Sequence, residues 1–424
     1  MRLRQLTGKR VAVWGLGVEG RAAMALVPAL ARPASLVAVT DSDEATPDVL
    51  RAADVVVKSP GISRHREDAR ALAAAGVLTS GTNLFLAETR GRCVVGVTGS
   101  KGKSTTSALV AHLLAALGEN VELGGNIGRA PLELLAVDPR PDRFVVELSS
   151  FQCADAEDSP EVGVLTALFA EHLDWHGSLA AYVDDKCNLF AHRGDAVTVV
   201  DGANALTASV TDRLPHPVPF GVPGGVHVDD GAVWAGRRRL FGLGASPLVG
   251  GHNAANLCAA LTVLAVLGHD PAAAEEALGS FRPLPHRLEV VGDIGGRLVV
   301  DDGLSTAPPA AMAALAAFPG RSVTILLGGH DRGLDYAELA TAVAERADPT
   351  LVLTLPASGA RLAAEIGDRA DVVTTAGLEE AVAVALERTP AGGVILLSPA
   401  APSFGDFRDY RDRSAAFRLL IGLE

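Results

Sequence analysis

The chain alternates short apolar runs with longer segments whose apolar residues recur at helical spacing. The first run, residues 10–14, is followed by a glycine-rich turn, a helical segment from about Arg21, and a second apolar run at residues 36–40. Apolar runs of strand length that alternate with helices indicate a parallel sheet covered by helices. Residues 1–91 therefore predict a small doubly wound domain, with a further strand at residues 55–57.

Two further blocks continue the alternation. In residues 92–283 the strand-like runs are residues 144–148, 164–169 and 197–200. In residues 284–424 they are residues 298–300, 323–327, 351–355 and 394–397. A Pro-His pair within residues 284–287 marks a turn that would serve as a hinge into the last block. The chain therefore predicts an α/β fold with three domains, in which the central sheet is mostly parallel.

Composition places the protein among globular proteins. Of its 424 residues, 48% are hydrophobic and 21% are charged, which is too apolar for a disordered chain. The formal net charge of -13 provides no basic surface, so neither a nucleic acid nor a membrane is expected as a partner. Four scattered cysteines without metal-ligand spacing fit reduced thiols. With no signal peptide and no apolar run of roughly 18 residues, we expect a cytoplasmic protein.

A glycine-rich turn lies between an apolar run at residues 94–95 and a helical segment. The backbone N–H groups of such a turn point at one spot, where the dipole of the following helix favours an anion. Lys103 would then contact the outer phosphates of a nucleotide, and the Ser104 hydroxyl would contact Mg²⁺. Five residues rather than four separate Gly96 from Gly102, so only part of the general phosphate-loop pattern is present, and a turn that merely caps the helix is the alternative. The residues predicted to bind a nucleoside triphosphate are Gly99, Ser100, Lys101, Gly102, Lys103, Ser104 and Thr105.

Lysine is scarce in this chain. Of 37 lysine and arginine residues only five are lysine, so arginine supplies most of the generic positive charge. A lysine is therefore a candidate for chemistry that a guanidinium cannot perform, because its amine is compact and can lose its proton. Lys103 and Lys186 stand out on this ground.

A second glycine-rich turn, residues 15–20, follows the first apolar run, and Asp41 follows the second. This is the spacing of a dinucleotide fingerprint, so an NAD-dependent dehydrogenase is one interpretation of the segment. A domain this small would also hold a nucleotide diphosphate without a nicotinamide, or its turns would bind no ligand. In the central block Glu147 and His172 follow strand-like runs. Because ligands of open α/β sheets gather at the carboxyl ends of strands, both side chains are expected beside Ser104.

Several short motifs occur in one order along the chain: residues 15–20, Ser59-Pro60-Gly61, residues 99–105, 124–128 and 147–152, His172-Leu173-Asp174, Lys186, His252-Asn253-x-x-Asn256, residues 284–287, Asp302, and Ser398-Pro399. Together they resemble the Mur ligase family, specifically its members that join glutamate to UDP-N-acetylmuramoyl-L-alanine in peptidoglycan synthesis. The resemblance covers essentially the whole chain and makes a dehydrogenase a remote alternative. It implies a Rossmann-like domain for the UDP end of the substrate in residues 1–91, an ATP-binding domain in residues 92–283, and a Rossmann-like domain that closes over the amino acid in residues 284–424.

The resemblance implies an ATP-dependent amide-bond ligase. The γ-phosphoryl group of ATP would pass to the alanyl carboxylate, and the glutamate amine would displace phosphate from the resulting acyl phosphate. Transfer between two anions requires charge neutralisation and positioning. Lys103 and two Mg²⁺ ions would supply the first, and closure of the last domain the second. The family precedent also implies a monomer.

Roles for individual residues follow from the same resemblance. Ser104 and Glu147 would hold the Mg²⁺ nearest the ATP phosphates, and His172 and Lys186 would hold the second. Lys186 corresponds to a lysine carbamoylated by CO₂, which turns a cation into an oxygen ligand; a surface amine is the alternative. For His172 the alternative is a purely structural histidine. The implied catalytic set is Lys103, Glu147, His172 and Lys186.

Two further sets of residues are implied to bind the nucleotides. The UDP substrate would contact Val18, Glu19, Asp41, Ser59, Gly61 and Asn126. The adenine, ribose and phosphates of ATP would contact Asn253, Asn256, His286, Arg287 and Asp302. For the ATP set, buried polar groups that only satisfy backbone partners are the alternative.

The start of the last domain departs from the pattern of the members that add D-glutamate. Where those members have a lysine this chain has Leu304, and a second expected lysine is matched by Arg332. Both lysines belong to the glutamate pocket, so the chain resembles a branch that adds L-glutamate, and D-glutamate is the alternative. Lys101, where most relatives have asparagine, is predicted either at the solvated rim of the turn or in contact with a phosphate. The residues expected to contact the glutamate carboxylates are Thr306, Arg332, Ser403 and Tyr410, with a bidentate contact from Arg332.

Overall fold

The computed structural model describes residues 1–41 and 46–423 and divides the chain into two compact units. The first unit comprises Met1–Ser246 with Ala255–Phe281, and the second comprises Pro247–Ala254 with Arg282–Glu424. The first two predicted domains therefore lie within one unit, and their separation at residue 91 stays a prediction. The predicted α/β class with mainly parallel sheets is confirmed.

The first unit begins with β1 (Arg10–Trp14), α1 (Val18–Ala31), β2 (Ser35–Val39), α2 (Thr46–Ala52), β3 (Val55–Lys58), α3 (Glu67–Ala74), β4 (Leu78–Ser80) and α4 (Gly81–Glu88). The four strands are parallel and lie in the order β2-β1-β3-β4. The valine-rich runs of β1 and β3, the two inner strands, are buried because helices cover both faces of the sheet. Helix α1 begins before the predicted Arg21, because Gly17 ends the glycine-rich turn as the N-cap.

The central part of this unit contains β5 (Cys93–Thr98), α5 (Lys103–Ala116), β6 (Val121–Gly125), β7 (Arg143–Glu147), α6 (Ser150–Ala154), β8 (Val162–Leu165), α7 (Leu173–His176), α8 (Leu179–Cys187), β9 (Val197–Asp201), α9 (Ala205–Ala208) and β10 (Pro217–Phe220). Its six strands are parallel in the order β10-β9-β8-β5-β7-β6. Strand β5 lies between β7 and β8. The turn after β5 therefore sits at the point of the sheet where ligands are usually bound.

The predicted strand over residues 164–169 is wrong at its end, because β8 stops at Leu165. Beyond that point the backbone bonds to the glycine-rich turn after β5 instead of to a neighbouring strand. The N–H of Ser100 donates to the carbonyl of Ala167 at 2.8 Å, and the N–H of Phe169 donates to Ser100 Oγ at 2.8 Å. This segment thus supports the turn rather than extending the sheet.

The remainder of the first unit was not assigned from the sequence. It contains β11 (Val226–Asp229), β12 (Ala232–Ala235) and β13 (Arg238–Gly242), followed by α10 (Gly251–Val266) and α11 (Ala274–Leu278). The three strands form a small antiparallel sheet. The division between the two units falls within α10.

The second unit contains β14 (Glu289–Ile294), β15 (Arg297–Asp301), α12 (Pro308–Ala316), β16 (Val323–Gly329), α13 (Ala337–Ala344), β17 (Thr350–Ala357), α14 (Ser358–Ile366), β18 (Asp371–Thr374), α15 (Leu378–Arg388), β19 (Val394–Leu397) and α16 (Tyr410–Leu420). The sheet order is β14-β15-β19-β16-β17-β18, and only β14 runs antiparallel to its neighbour. Ile325 and Leu326 of β16 face opposite cores, as the alternation of a strand requires. Within the part of the chain that the structure describes, no helix combines the length and apolar character needed to cross a membrane.

Candidate active site

The turn between β5 and α5 requires glycine at two positions. Gly99 and Gly102 have φ angles of +146° and +91°, which side-chain-bearing residues rarely adopt. A Cβ on Gly99 would lie 1.9 Å from Thr166 Oγ1, and a Cβ on Gly102 would lie 2.2 Å from Asn256 Oδ1. The glycines of this turn are therefore required by close packing as well as by backbone geometry.

Ser100 anchors the same turn from its buried side. Its Oγ lies 2.7 Å from the hydroxyl oxygen of Tyr182 and 2.9 Å from the carbonyl oxygen of Phe169. These contacts connect the turn to α8 and to the segment after β8. The Ser100 side chain is thus engaged with the protein, and its contact with a nucleotide stays a prediction.

Two lysines of the turn have different surroundings. The Nζ of Lys103 donates to the carbonyls of Gly99 and Ser100 at 3.0 and 2.8 Å, so its ammonium is folded over the turn. The Nζ of Lys101 pairs with Glu171 Oε1 at 2.5 Å, and both side chains remain partly exposed. Neither alternative stated for Lys101, a solvated rim or a phosphate contact, included this ion pair.

Lys186 is buried in α8 next to the same turn, and it is not a surface amine. Its side chain is 1% exposed, and its Nζ donates to the Gly99 carbonyl at 2.7 Å and to Thr98 Oγ1 at 3.4 Å. The ring centroid of Tyr182 lies 4.9 Å from the same nitrogen. Burial, and next the nearby Lys103, lowers the pKa of Lys186 to about 7. A substantial fraction of this amine is therefore neutral near neutral pH.

Glu147 ends β7, the neighbour of β5, with only one of its carboxylate oxygens satisfied. Its Oε1 accepts a hydrogen bond from Asn126 Nδ2 at 2.9 Å, and its backbone carbonyl accepts from the N–H of Asn126 at 2.8 Å. Its Oε2 is buried and has no hydrogen-bond partner among residues 1–41 and 46–423. A buried carboxylate oxygen without a donor is costly unless a cation compensates it, and such an oxygen is a preferred ligand of Mg²⁺. The donor set therefore fits a divalent cation at this edge of the sheet, where the buried Ser104 lies in the first turn of α5.

His172 lies in the loop that precedes α7. Its side chain is exposed, and its backbone has a left-handed φ of 53°, which is uncommon for a residue with a side chain. Its ring lies 5.0 Å from the ring of Phe151, measured between centroids. His172 is thus not packed as a core histidine would be, and its role as a metal ligand stays a prediction.

A cavity of about 420 Å³ lies between the first sheet and the central sheet within the first unit. Of the six residues predicted to contact the UDP substrate, five line it: Val18, Glu19, Ser59, Gly61 and Asn126. Asp41 is engaged elsewhere, because its carboxylate accepts from Trp14 Nε1 at 2.8 Å and pairs with Arg66 at 2.6 Å. Most of the predicted substrate contacts therefore lie around this cavity, while a substrate contact for Asp41 stays a prediction.

Three further residues of the cavity wall, Ser149, Phe151 and Gln152, were not selected as site residues. Gln152 Nε2 donates to Glu19 Oε1 at 2.5 Å, and burial raises the pKa of Glu19 to about 7. The signal that would have identified these residues is their place immediately after a strand end, which is where ligands of α/β sheets are bound.

The residues predicted to bind the adenosine part of ATP occur in both units. In the first unit, Asn256 Oδ1 accepts from Thr106 Oγ1 at 3.3 Å. In the second unit, Asn253 Nδ2 donates to the carbonyl of Val249 at 2.8 Å. Both side chains are buried, so the alternative that they satisfy internal partners remains open beside nucleotide binding.

The other three residues predicted to bind the adenosine part of ATP lie in the second unit. His286 and Arg287 precede β14, and Asp302 follows β15. His286 has a left-handed φ of 62°, and its Nδ1 lies 2.8 Å from Asp301 Oδ2. Asp302 accepts from Ser398 Oγ at 2.7 Å. Burial raises the pKa of Asp302 to about 7, although the adjacent positive charge of Arg287 opposes this rise.

The residues predicted to bind glutamate follow the carboxyl ends of strands in the sheet of the second unit. Thr306, Arg332 and Ser403 follow β15, β16 and β19, which are neighbouring parallel strands. Tyr410 begins α16, and its ring centroid lies 5.6 Å from that of His286. The topology therefore brings the loops of these residues together within this unit.

Arg413 is a buried residue of this edge that the sequence did not indicate. Its side chain is 1% exposed, and its Nη2 donates to the carbonyls of Gly303 and Ala401, each at 3.1 Å. Burial lowers the pKa of Arg413 to about 10. It ties the loops after β15 and β19, yet in the sequence nothing distinguishes it from the exposed arginines at 408 and 411.

Comparisons with known proteins agree with this geometry. The family description "Mur ligase middle domain" matches residues 97–222, and "Mur ligase, glutamate ligase domain" matches residues 286–401. The chain is 46% identical to the UDP-N-acetylmuramoyl-L-alanine–L-glutamate ligase of Salinispora tropica, over 98% of each protein. It is 40% identical to the ligase of the same name from Xanthomonas axonopodis pv. citri, over 100% of this chain and 97% of the relative.

Solved structures show a similar fold at low sequence identity. The MurF ligase of Thermotoga maritima, solved in complex with ADP, has a TM-score of 0.61 at 18% identity and covers 99% of this chain and 95% of its own. The UDP-N-acetylmuramate-alanine ligase of the same organism has a TM-score of 0.60 at 22% identity, over 96% of this chain and 98% of its own. These two likenesses concern the fold.

Proposed function

The chain belongs to the Mur ligase family, and on that premise we propose that it joins L-glutamate to the alanyl carboxylate of UDP-N-acetylmuramoyl-L-alanine, with cleavage of ATP to ADP and phosphate. It is an ATP-dependent ligase of peptidoglycan precursor synthesis. The single observation that carries the choice of L-glutamate is the 46% identity, over 98% of the chain, to a ligase whose name specifies that substrate.

The reaction has two steps. A carboxylate is a poor electrophile, so the terminal phosphoryl group of ATP first passes to the alanyl carboxylate and forms an acyl phosphate. The glutamate amine then attacks the carbonyl carbon, the C–N bond forms, and phosphate leaves with the electrons of the C–O bond. The protein contributes positioning and charge neutralisation. Lys103, folded over the turn that would receive the phosphates, is the proposed cationic contact.

Two Mg²⁺ ions are proposed for this reaction, and when bound they would neutralise the phosphate charge and orient the transferred group. Ser104 and Glu147 are the proposed ligands of one ion, and His172 and Lys186 of the other. The support for the first assignment is the buried Oε2 of Glu147, which no donor satisfies in the described part of the chain.

We further propose that Lys186 is carbamoylated. The neutral amine would attack CO₂, an N–C bond would form, and loss of a proton would leave a carbamate anion. The support is the burial of Lys186 and its pKa of about 7, because only the unprotonated amine reacts. An arginine cannot undergo this reaction, which accords with lysine at this place in an arginine-rich chain.

The assignments for the substrates follow the same proposal. The 420 Å³ cavity would receive the UDP substrate, with Glu19, Ser59 and Asn126 among its walls. Arg332 with Thr306, Ser403 and Tyr410 would bind glutamate. The residues assigned to the adenosine part of ATP are Asn253, Asn256, His286, Arg287 and Asp302. A monomer in the cytoplasm is carried over from the family resemblance.

The decisive experiment is a phosphate-release assay with every component varied in turn. We expect release only when UDP-N-acetylmuramoyl-L-alanine, glutamate, ATP and Mg²⁺ are present together, with L-glutamate preferred over D-glutamate. Equal rates with both enantiomers would contradict the stereochemical assignment, and absence of release with either would contradict the function. Tight binding of NADH without phosphate release would instead support the remote dehydrogenase alternative.

A further inference from the structure

A buried ion pair links the part of the first unit built on the four-stranded sheet to the part built on the six-stranded sheet. The Nζ of Lys58 lies 2.7 Å from Asp155 Oδ2, and the two side chains are 1% and 7% exposed. Lys58 is the last residue of β3, and Asp155 is the residue that ends α6. None of the roles assigned above uses this pair, although Lys58 is one of only five lysines in the chain.

Besides this ion pair with Asp155, the ammonium of Lys58 donates hydrogen bonds to two backbone carbonyls. These are the carbonyl of Ile62 at 2.7 Å and that of Ser59 at 3.3 Å. Ser59, Gly61 and Ile62 line the 420 Å³ cavity. The ammonium therefore holds the backbone of one cavity wall from the protein side.

Asp155 lies at the end of the helix that contributes to the opposite wall. It is the C-cap of α6, a helix whose Phe151 and Gln152 line the same cavity. The backbone carbonyl of Asp155 also accepts from Asn83 Nδ2 at 2.7 Å, which fixes this end of α6 against α4. A helix this short moves as one piece, so a tie at its last turn also restrains its first.

We propose that Lys58 and Asp155 are positioning residues for the nucleotide substrate, because their ion pair sets the separation between the loop at residues 59–62 and helix α6. This inference rests on the proposed function, in which the cavity receives UDP-N-acetylmuramoyl-L-alanine. If the two walls are already at the correct separation before the ligand binds, less conformational entropy is lost on binding, and the affinity is higher.

The geometry explains why this position is a lysine. Its compact ammonium lies 2.7 Å from the Asp155 carboxylate and donates to the carbonyls of Ser59 and Ile62, whereas a guanidinium is planar and larger. All three of these groups lie outside the turn at residues 99–105. The pair is therefore expected to affect the UDP substrate and to leave ATP unaffected.

The test compares affinities for the two nucleotides in the full-length protein. Removing one member alone would strand a buried charge, so the main variant is the double substitution Lys58→Met with Asp155→Leu, which replaces the pair by apolar groups of similar volume. We expect its Kd and KM for UDP-N-acetylmuramoyl-L-alanine to rise about tenfold, with kcat and the KM for ATP changed less than about twofold, because misplaced walls weaken one substrate selectively.

A second variant keeps the inference testable if the double variant does not fold. Lys58→Gln with Asp155→Asn leaves no buried charge and can still donate to the Ile62 carbonyl, so an intermediate rise of about threefold in the same KM is expected. Replacing Arg10 and Asp54, an exposed ion pair of the same sheet, by alanine is the matched control and should change neither KM.

The outcomes separate the two proposals. If the wild-type protein neither binds UDP-N-acetylmuramoyl-L-alanine nor releases phosphate, the proposed function fails. If the wild type is active and a folded Lys58 variant keeps its affinity for that substrate, the positioning role is overturned. Equal losses for the UDP substrate and ATP would also overturn it, because they would indicate a general structural defect.

Discussion

The side chain of Lys186 is buried, donates to a backbone carbonyl and lies near a second cation, Lys103. Its Nζ donates to the Gly99 carbonyl at 2.7 Å, so the amine lies against the turn that would receive the phosphates. Burial disfavours the protonated form, which accounts for a pKa of about 7. The proposed carbamoylation requires this unprotonated form of the amine.

Lys186→Ala is expected to lower the ligase rate by about a hundredfold or more, because a proposed metal ligand is lost. Short-chain carboxylates such as acetate should restore part of the rate by occupying the vacated space. Phosphate release at increasing acetate concentration is the measurement. A fully active variant, or one that acetate cannot rescue, would contradict the carbamate assignment.

Glu19 provides a prediction about stability and pH. Its pKa in the folded protein, about 7, is above the ordinary value of 4.5, because burial disfavours the carboxylate. The folded state therefore holds the proton more tightly than the unfolded chain does. The contribution of Glu19 to stability is fully present below about pH 4.5 and is lost as the pH rises through about 7.

Glu19→Gln should therefore raise the free energy of unfolding at pH 8, on the order of 2–3 kcal/mol, and by much less at pH 5. The neutral amide can still accept the hydrogen bond from Gln152 that the carboxyl accepts. Urea unfolding at both pH values measures the difference. Asp48→Asn, a change at an exposed carboxylate, is the control and should show no such dependence. A variant that is less stable than the wild type at pH 8 would refute the assignment.

At the residue scale, the sequence located side chains whose positions follow from a local motif. Ser59, Gly61 and Asn126 line the cavity because each follows or flanks a parallel strand. Arg413 was missed, because its place depends on tertiary packing and no local pattern marks it. The close approach of Gly102 to Asn256 is of the same kind, since the two residues are far apart in sequence.

At the scale of elements, the turn between β5 and α5 shows how one glycine differs from another. Gly102 and Gly118 have nearly equal φ angles, +91° and +89°. A Cβ on Gly102 would collide with Asn256 Oδ1, whereas nothing lies within 4 Å of a Cβ on Gly118. Comparing these two glycines therefore separates the effect of the left-handed backbone from the effect of close packing.

Gly102→Ala is expected to reduce ATP-dependent phosphate release more than about tenfold, because the turn must shift to admit the methyl group. Gly118→Ala should cost only about 1 kcal/mol of stability from its left-handed backbone and should leave the rate unchanged. Steady-state kinetics and thermal unfolding of both variants provide the comparison. Similar rates in the two variants would show that the contact with Asn256 does not matter.

Periodicity predicted most of the strands but not where each one ends. The apolar run at residues 164–169 continues past Leu165, yet the chain leaves the sheet there to bond with Ser100. Hydrophobicity cannot report this, because the bonds involve backbone groups. The antiparallel strands β11 to β13 were also missed, since each is only four or five residues long.

At the scale of the whole molecule, the two units have separate cores. The class of fold followed from the alternation of strands and helices, because that alternation is a property of the entire chain. The division of the first unit into two domains stays a prediction, and within that unit Asn83 Nδ2 donates to the Asp155 carbonyl across the predicted boundary. Such contacts have no signature in composition or linker length.

Calorimetry should therefore resolve two unfolding transitions. The 420 Å³ cavity lies entirely in the first unit, so UDP-N-acetylmuramoyl-L-alanine should raise the midpoint of one transition and leave the other unchanged. At a ligand concentration a hundredfold above Kd the stabilisation is about 2.7 kcal/mol. One shared transition, or an equal shift of both, would show that the units do not unfold separately.

The distribution of one residue type gives this two-unit organisation an optical readout. All three tryptophans, Trp14, Trp175 and Trp234, belong to the first unit, and the second unit has none. The indole of Trp175 donates to the Gly61 carbonyl at 3.3 Å, on the wall of the cavity. Tryptophan fluorescence, excited selectively at a wavelength that tyrosine does not absorb, therefore reports on the first unit alone. It includes an emitter bonded to the cavity wall, so occupancy of the cavity can be followed without a dye or label.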